Sequence, residues 1–555
     1  MLSERLNVFD DYPAAVFAII GVAVAAAAFF LYLDYPIAVD VPIIGVGVRY
    51  TKWLAAIRNV WYARESIREG YAKASCSRLS LQHGTQLTVD TQHGDFAFQI
   101  PTMTRMDIFI CDRQMTREYY TVDDDHLSFR AVMSEEFQFE HLLPGQLHDV
   151  RRIPNSVIAK ALSWQRTRAS KPEDPFFKSF SAEFIHGFQE ETQRLVQNQS
   201  SGIFSLFRGT PLAADSGWSA VPCFPLAIKV IARLTTYSLF GEPLCRDVEF
   251  LDMCCRFGDA IPRDALILRS WPAWARPSVA KLLAAPRLVR KLQGILYAEI
   301  QQRRSTREKN PMKDLLDFTI DWVDQRGEEY DDWHITDMMT NTIFAALHTS
   351  SQPRQLVVHT IFELSTRPEY ADPLREEIKQ CFELHGEGTK KALDSMYKVD
   401  SFIKETQRMN PLDASALARL ALRDYTFSNG LHIPKGSAIF TPNAPLFQDE
   451  RFYPDPQRFD GFRFSKMRHD PKLVSSCDLT STNERSMHFG IGRHACPGRF
   501  MVSDEVKLAM VHLLQNFDFC VENFGPRPKN MPFGKFILPD MSAKVWLRPS
   551  TRAKE

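Results

Sequence analysis

The sequence has no Cys-x-x-Cys pair, no repeat, no low-complexity run and no net charge, with 67 basic side chains against 67 acidic ones in 555 residues. Each absence removes a class of function. Without a Cys-x-x-Cys pair there is no signature of a zinc site or a thioredoxin-like motif. Without a basic excess there is no electrostatic reason to expect nucleic acid. Without a fixed period the chain is not a solenoid. A dinucleotide fingerprint fails as well, because Gly45-Val46-Gly47 lacks the third glycine. The ten cysteines lie mostly tens of residues apart. They read as reduced core residues, which places the bulk of the protein in a reducing compartment.

What is present begins with a long apolar run. Ala14–Leu33, AAVFAIIGVAVAAAAFFLYL, is twenty residues without a charge. At about 1.5 Å per residue it matches the thickness of a bilayer core. A cleaved signal peptide is the alternative, with Ala25–Ala28 resembling a small-residue cleavage site, but signal cores are ordinarily about 7–15 residues long. Arg49, Lys52, Arg58 and Arg64 follow the run and favour a cytosolic downstream side. The Asn198-Gln199-Ser200 sequon would then never meet the glycosylation machinery. The organisation expected is a short lumenal N-terminus (1–13), a transmembrane anchor (14–33), a neck stiffened by Pro36 and Pro42 (34–50) and one globular domain (51–555).

Within that domain helix dominates and sheet is minor. Alternation from Thr85 to Cys111 predicts two or three strands with a turn at His93-Gly94. Most of Arg113 to Gln380 carries apolar residues at helical spacing. Thr336–Gln352, TDMMTNTIFAALHTSSQ, predicts one helix capped by Thr336. Gly430–Thr441 returns to short strands. A last helix is expected from about Gly498 to Asn516, and KFILP with AKVWLRP is expected to close a hairpin.

One stretch concentrates turn chemistry around a cysteine: His488–Phe500, HFGIGRHACPGRF. A cysteine at the exit of a glycine-rich loop, just before a helix, sits where backbone N–H groups and the helix dipole stabilise a thiolate. Gly492 and Gly498 allow close approach and positive φ. Pro497 suits a helix start. Such a loop can hold a charged sulfur against something large and planar.

The spacing Phe489-x-x-Gly492-x-His494-x-Cys496-x-Gly498 resembles the haem-binding loop of cytochrome P450 enzymes, in its fungal form. The resemblance implies Cys496 as the thiolate ligand of haem iron, whose electron donation favours O–O cleavage. It implies a haem-propionate contact at His494, with Arg493 beside it, and a second at Arg419. Three further segments agree. FIKETQR carries Glu405-x-x-Arg408, two side chains on one helix face. FYPDPQRFDGFRF offers Arg458, which the resemblance makes the third member of a buried structural triad with Glu405 and Arg408. AALHTS resembles the family's oxygen-binding segment, with Thr349 as the proton-handling hydroxyl and His348 where a carboxylate is usual. A further haem contact is left open between Trp164 with Arg168 and Arg151 or Arg152.

The resemblance implies the cytochrome P450 fold, mainly helical and sandwiching a haem b. It implies a monooxygenase that takes electrons from NADPH through a separate membrane-bound reductase. The anchor would hold the protein as a single-pass protein of the endoplasmic reticulum membrane, where lipophilic substrates enter from the bilayer. GEPLCRD (Gly241–Asp247) and SALARLALRDYTFSNGLHIPKG (Ser415–Gly436) look like the ent-kaurene-oxidase-like subgroup, which favours a terpenoid substrate of fungal secondary metabolism. A fatty-acyl or other lipophilic substrate, and a haem protein without turnover, are the alternatives. Pocket walls are expected from Phe344–Ser350, Pro411–Leu417 and Phe533–Leu538, with Asp413 as a polar hook.

Overall fold

The computed structural model describes residues 21, 39, 41–45, 52–82, 97–143, 158, 160–163, 165, 176–199, 218–306, 313–327, 330–348, 351–521 and 525–550. The expected anchor, Gly21 excepted, lies outside these residues, and so does the expected neck apart from 39 and 41–45. So do the expected His93-Gly94 turn, Thr349, Arg151, Arg152, Trp164 and Arg168.

Helices dominate. They run as α1 (Lys52–Gln82), α2 (Arg113–Thr121), α3 (Phe129–Glu136), α4 (Phe176–Gln199), α5 (Cys223–Phe240), α6 (Val248–Arg269), α7 (Ala285–Thr306), α8 (Leu315–Asp324), α9 (Asp332–Ile343), α10 (Ser351–Thr366), α11 (Ala371–His385), α12 (Tyr397–Met409) and α13 (Arg499–Asn516). Their starts are written in short polar side chains. Asp247 accepts from the Glu249 and Phe250 amides at the head of α6. Asp314 and Asp331 build reciprocal caps with Asp317 and His334 at the heads of α8 and α9. α5 is the one described helix long and apolar enough to cross a membrane, but most of it is buried inside the protein. It is a core helix.

The main sheet comprises β1 (Ala97–Pro101), β2 (Met106–Ile110), β3 (Leu127–Ser128), β5 (Ser415–Ala421) and β6 (Ala438–Pro442), after β4 (Ser219–Pro222) is counted elsewhere. Its order is β1-β2-β6-β5-β3, and only the β2–β6 pair is parallel. Every residue of β1, β2 and β6 is buried. α1 covers one face so closely that a side chain on Gly70 would overlap the Phe98 ring. Among the described residues four apolar clusters form: one under α4, α5, α10 and α13, one under α6 to α9, one around the sheet, and a small one of Phe447, Tyr453 and Phe464.

Two predicted elements differ. The helix expected over Thr336–Gln352 starts earlier and is not α-helical throughout. Asp331 is the cap, and the Thr336 hydroxyl bonds back to the Asp332 carbonyl at 2.8 Å inside α9. α9 then widens into a single π-helical turn, Phe344–His348, and α10 is described from Ser351. The hairpin expected between KFILP and AKVWLRP is not formed. β9 (Phe536–Leu538) folds back on β8 (Met531–Phe533) because Gly534, at φ +59°, makes the two-residue turn between them. β10 (Lys544–Pro549) instead joins β4 and β7 (Phe517–Val521).

Candidate functional site

The cysteine loop is closed by its own backbone. The Cys496 amide donates to the Phe489 carbonyl at 2.7 Å, and Phe489 is buried. Gly490 and Gly492 both have positive φ, and a side chain on Gly490 would press within 3.2 Å of the His494 carbonyl. Gly498 does not use its φ freedom. It sits at φ −80° as the N-cap residue of α13, and a Cβ there would rest at ordinary contact distance from the Cys496 sulfur. Cys496 itself is partly exposed. Burial pushes its thiol up, and the Gly498 and Arg499 amides, with the Arg499 charge, oppose that. A thiol so placed keeps its proton until a cation arrives to replace it.

Beneath the loop lies a wholly buried ion cluster. Arg408 on α12 grips Glu405 with two bonds, at 2.8 and 2.9 Å. The second arginine is Arg463, not Arg458: its Nε lies 3.2 Å from both Glu405 oxygens. Arg458 is exposed and offers only its carbonyl, which takes Arg463 Nη2 at 2.9 Å. Arg463 also donates to the Pro454 and Asp455 carbonyls and so straps down the loop that carries Arg458. The RFDGFRF stretch has two Arg-Phe pairs, and its pattern does not say which one turns inward.

The cluster reaches the cysteine through packing. Arg408 Nη1 donates to the Phe447 carbonyl at 2.6 Å, and the Phe447 ring stacks on His488 with centroids 4.1 Å apart. His488 opens the cysteine loop. Lys404, one residue before Glu405 and fully buried, donates to Ser486 Oγ at 3.2 Å just ahead of it. Both lie inside the quoted stretches FIKETQR and HFGIGRHACPGRF, but the resemblance gave neither a role.

At the rim of the loop, Arg419 is buried to 1% exposure, and its Nε and Nη2 have no hydrogen-bond partner. Its Nη1 meets only the neighbouring Ala418 carbonyl. A bulge in the β5–β6 pairing between Ala416 and Arg419, with Leu417 at φ +52°, aims this residue inward. Phe129 stands beside both Arg419 and His494, at 5.7 and 5.5 Å. His494 bonds Asp124 at 2.8 Å, while burial and the Arg419 charge hold its imidazole below the usual range. Arg493 turns outward to Asp123 at 3.1 Å. A buried guanidinium with two idle donors calls for an anion. The propionate edge of a haem supplies one, so the residues present fit that group.

In the π turn Ala345 is exposed, while Phe344 beside it is buried against Phe137, Phe139 and Phe257. His348 ends the turn. Two of the expected walls do meet: the Ala414 amide donates to the Lys535 carbonyl at 2.8 Å, and the Ile537 amide to the Leu412 carbonyl at 2.9 Å. Asp413 is engaged locally, accepting from the Ser415 amide and hydroxyl at 2.7 and 2.8 Å. Burial pushes its carboxyl up and Lys535 opposes this. Lys535 ties these walls to Glu136 at the end of α3. Desolvation alone would raise the Glu136 carboxyl, but Lys535, Arg269 and Arg105 outweigh it and hold the group well below the carboxylate range.

The comparisons agree with this geometry. The cytochrome P450 family profile matches residues 250–547. The cytochrome P450 monooxygenase ltmQ of Epichloe festucae var. lolii is 68% identical over all of this chain and 99% of its own length. The cytochrome P450 monooxygenase terQ of Tolypocladium album is 65% identical over 100% of this chain and 97% of its own. The cytochrome P450 monooxygenase paxQ of Penicillium paxilli is 37% identical over 92% of each. In fold, the chain resembles retinoic-acid-bound cyanobacterial CYP120A1, with a TM-score of 0.58 at 16% identity, covering 93% of this chain and 100% of that one. A closed cysteine loop at a helix start, a buried arginine awaiting an anion and relatives matched end to end make one conclusion: the chain belongs to the cytochrome P450 family of haem-thiolate monooxygenases.

Proposed function

We propose that the chain binds haem b through Cys496 and oxidises a hydrophobic terpenoid of fungal secondary metabolism. Electrons come from NADPH through a separate membrane-bound reductase. The observation that supports this reading is Arg419, a buried cation with two idle donors beside the cysteine loop. Arg419 and His494 would hold the propionates, Phe489 and Gly492 the loop's shape, and Cys496 the iron. When bound, the haem supplies oxygen activation, inserting one atom of O2 into a C–H or C=C bond while the other leaves as water.

The chain's own contribution is placement and proton supply. Cys496 would hold the iron as a thiolate, its thiol proton being released on binding. Thr349 supplies the hydroxyl proton on the substrate side, and His348 stands where the family pattern has a carboxylate. The apolar run 14–33 supports an anchor in the endoplasmic reticulum membrane, with the catalytic domain in the cytosol and the substrate drawn from the bilayer.

A carbon monoxide difference spectrum of dithionite-reduced membranes tests the first step. The intact chain gives a strongly red-shifted Soret band and Cys496→Ser does not. A well-expressed, folded chain without that band overturns the reading. Substrate class is then tested by spectral titration with diterpenoids against fatty acids, and tighter binding of fatty acids overturns the terpenoid assignment.

A further inference from the structure

The segment leading into β8 reads Gly525-Pro526-Arg527-Pro528-Lys529-Asn530. A proline on each side stiffens the backbone at Arg527. Pro526 fixes its own φ, and Pro528 disfavours a helical conformation in the residue before it. The Arg527 side chain is 19% exposed, and each of its five N–H groups has an acceptor. Nε donates to Glu363 Oε1 at 2.6 Å. Nη1 donates to the Pro528 carbonyl and to Asn530 Oδ1, both at 2.9 Å. Nη2 donates to His359 Nδ1 at 2.8 Å and to Asn410 Oδ1 at 3.2 Å. Arg419 keeps donors idle, whereas Arg527 has spent all of its own on the protein.

Those acceptors lie where the expected pocket walls begin. Asn410 is the C-cap of α12 and directly precedes Pro411, the first residue of the 411–417 wall. Asn530 directly precedes β8, which leads into the 533–538 wall. Its amide also donates to Asn410 Oδ1 at 2.7 Å. His359 and Glu363 are one turn apart on α10, and both are buried. An arginine has no acceptor, so His359 takes this bond on an unprotonated Nδ1. Burial and the Arg527 charge hold that imidazole well below its usual range, which keeps the ring neutral. Glu363 has a second cation in Arg367. Beyond this root the walls pair with each other through the Ala414–Lys535 and Ile537–Leu412 bonds. At the turn, the Gly534 carbonyl takes the Arg64 amide of α1 at 3.3 Å. The β8–β9 hairpin is thus pinned at its tip by α1 and at its root by Arg527.

We propose that Arg527 is a positioning residue for the substrate pocket. It binds the residue ahead of each wall and two residues of α10 at once, and so sets where both walls stand against the helical core. This rests on the reading of 411–417 and 533–538 as pocket walls. A planar fork with five donors can join these groups. A lysine ammonium, a single point charge with three donors, cannot.

The test uses the full-length chain in membranes, with two ligands of haem iron as probes. Imidazole is small and reads the iron site alone. Clotrimazole carries an imidazole on a bulky triaryl body that presses on the pocket walls. Each gives a nitrogen-ligand difference spectrum, and the ratio of the two dissociation constants isolates the walls. Arg527→Lys should keep the red-shifted Soret band and bind imidazole within about twofold of the unaltered chain, while clotrimazole binding weakens at least about tenfold. Asn530→Ala removes fewer of these ties and should weaken clotrimazole binding by about threefold. In detergent-solubilised protein, amide hydrogen exchange over 531–538 should quicken in both variants. A folded Arg527→Lys with an unchanged ratio overturns the proposal. Equal weakening of both probes also overturns it, because the iron site rather than the walls has then moved. If Arg527→Lys loses the Soret band, Asn530→Ala decides. A shifted ratio there supports the proposal, and an unchanged ratio or a lost band overturns it. Phe536→Ala, Ile537→Ala and Leu538→Ala test the walls directly. If none of the three moves the ratio, the reading of the walls fails and the proposal falls with it. If one does and neither Arg527→Lys nor Asn530→Ala does, the walls stand and Arg527 does not position them.

Discussion

Glu405 and Glu505 are both fully buried, on α12 and α13, and the fold satisfies them in opposite ways. Glu405 has two arginines and the Asp460 amide around it. Glu505 has one neutral partner, the Thr235 hydroxyl at 3.0 Å, and its second oxygen has none. Burial pushes the Glu505 carboxyl up to about 8. One site surrounds its carboxylate with two arginines. The other keeps its proton. Desolvating a carboxylate permits only these two solutions, and they fail under different perturbations.

The largest effect expected is at Glu405. Glu405→Gln leaves two buried guanidinium groups without a counter-charge, a loss of about 3–5 kcal/mol. Because Arg408 also carries the Phe447 carbonyl and thereby His488, the cysteine loop loses its floor. CO-reactive haem protein recovered per milligram of membrane should fall close to zero. Full recovery with an unchanged unfolding midpoint would show that the cluster is incidental. Next come the two candidate third members. Arg463→Ala should approach the Glu405→Gln loss, whereas Arg458→Ala, on an exposed side chain, should change stability by no more than about 0.5 kcal/mol. If the two exchange rank, the assignment of Arg463 is wrong.

These two arginines also mark where the sequence stops being readable. The Glu405-x-x-Arg408 pair was legible because helical spacing puts both side chains on one face without any tertiary information. The helical course of the chain, the α13 start at the cysteine loop and the loop itself were legible for the same reason, being local. Arg463 was not, because which arginine of RFDGFRF turns inward depends on how the Pro454–Arg458 loop folds around it. The π turn after Ile343 was hidden by an apolar pattern that continues through it. The β8–β9 hairpin needed the weight of one glycine, Gly534, against a stronger-looking strand pair. Glu505 and Lys404 carry charged names in helices whose burial only the packed structure reveals.

A third carboxyl, Glu136, sharpens the comparison by being only partly buried. Glu136 meets Arg105 and Arg269 at 3.3 Å and Lys535 at 3.5 Å, with its side chain 17% exposed. It joins α3, the start of β2, the end of α6 and the β8–β9 turn. Glu136→Gln should cost less than Glu405→Gln, about 1–3 kcal/mol, because water can reach the cations left behind. Added salt should narrow the gap between this variant and the unaltered chain, since partly exposed charges are screened and fully buried ones are not. A gap that ignores salt at Glu136 would place this cluster with the buried triad.

Glu505→Gln should show the smallest loss, and in one pH range a gain. The carboxyl has its ordinary value near 4.5 in the unfolded chain and about 8 in the fold, so folding favours the protonated form. The stability this contributes is complete below about pH 4.5 and declines as the pH rises to about 8, by up to about 1.4 kcal/mol per pH unit. Glutamine has no proton to lose and escapes the decline. At pH 5 the variant should match the unaltered chain to within about 1 kcal/mol, since the amide can still take the Thr235 hydroxyl. At pH 8 it should unfold at the higher temperature. Thermal midpoints of both proteins across that range decide it, because the difference between them cancels every other titrating group. Parallel curves would mean that Glu505 stays charged in the fold, and that Thr235 alone suffices to hold a buried carboxylate.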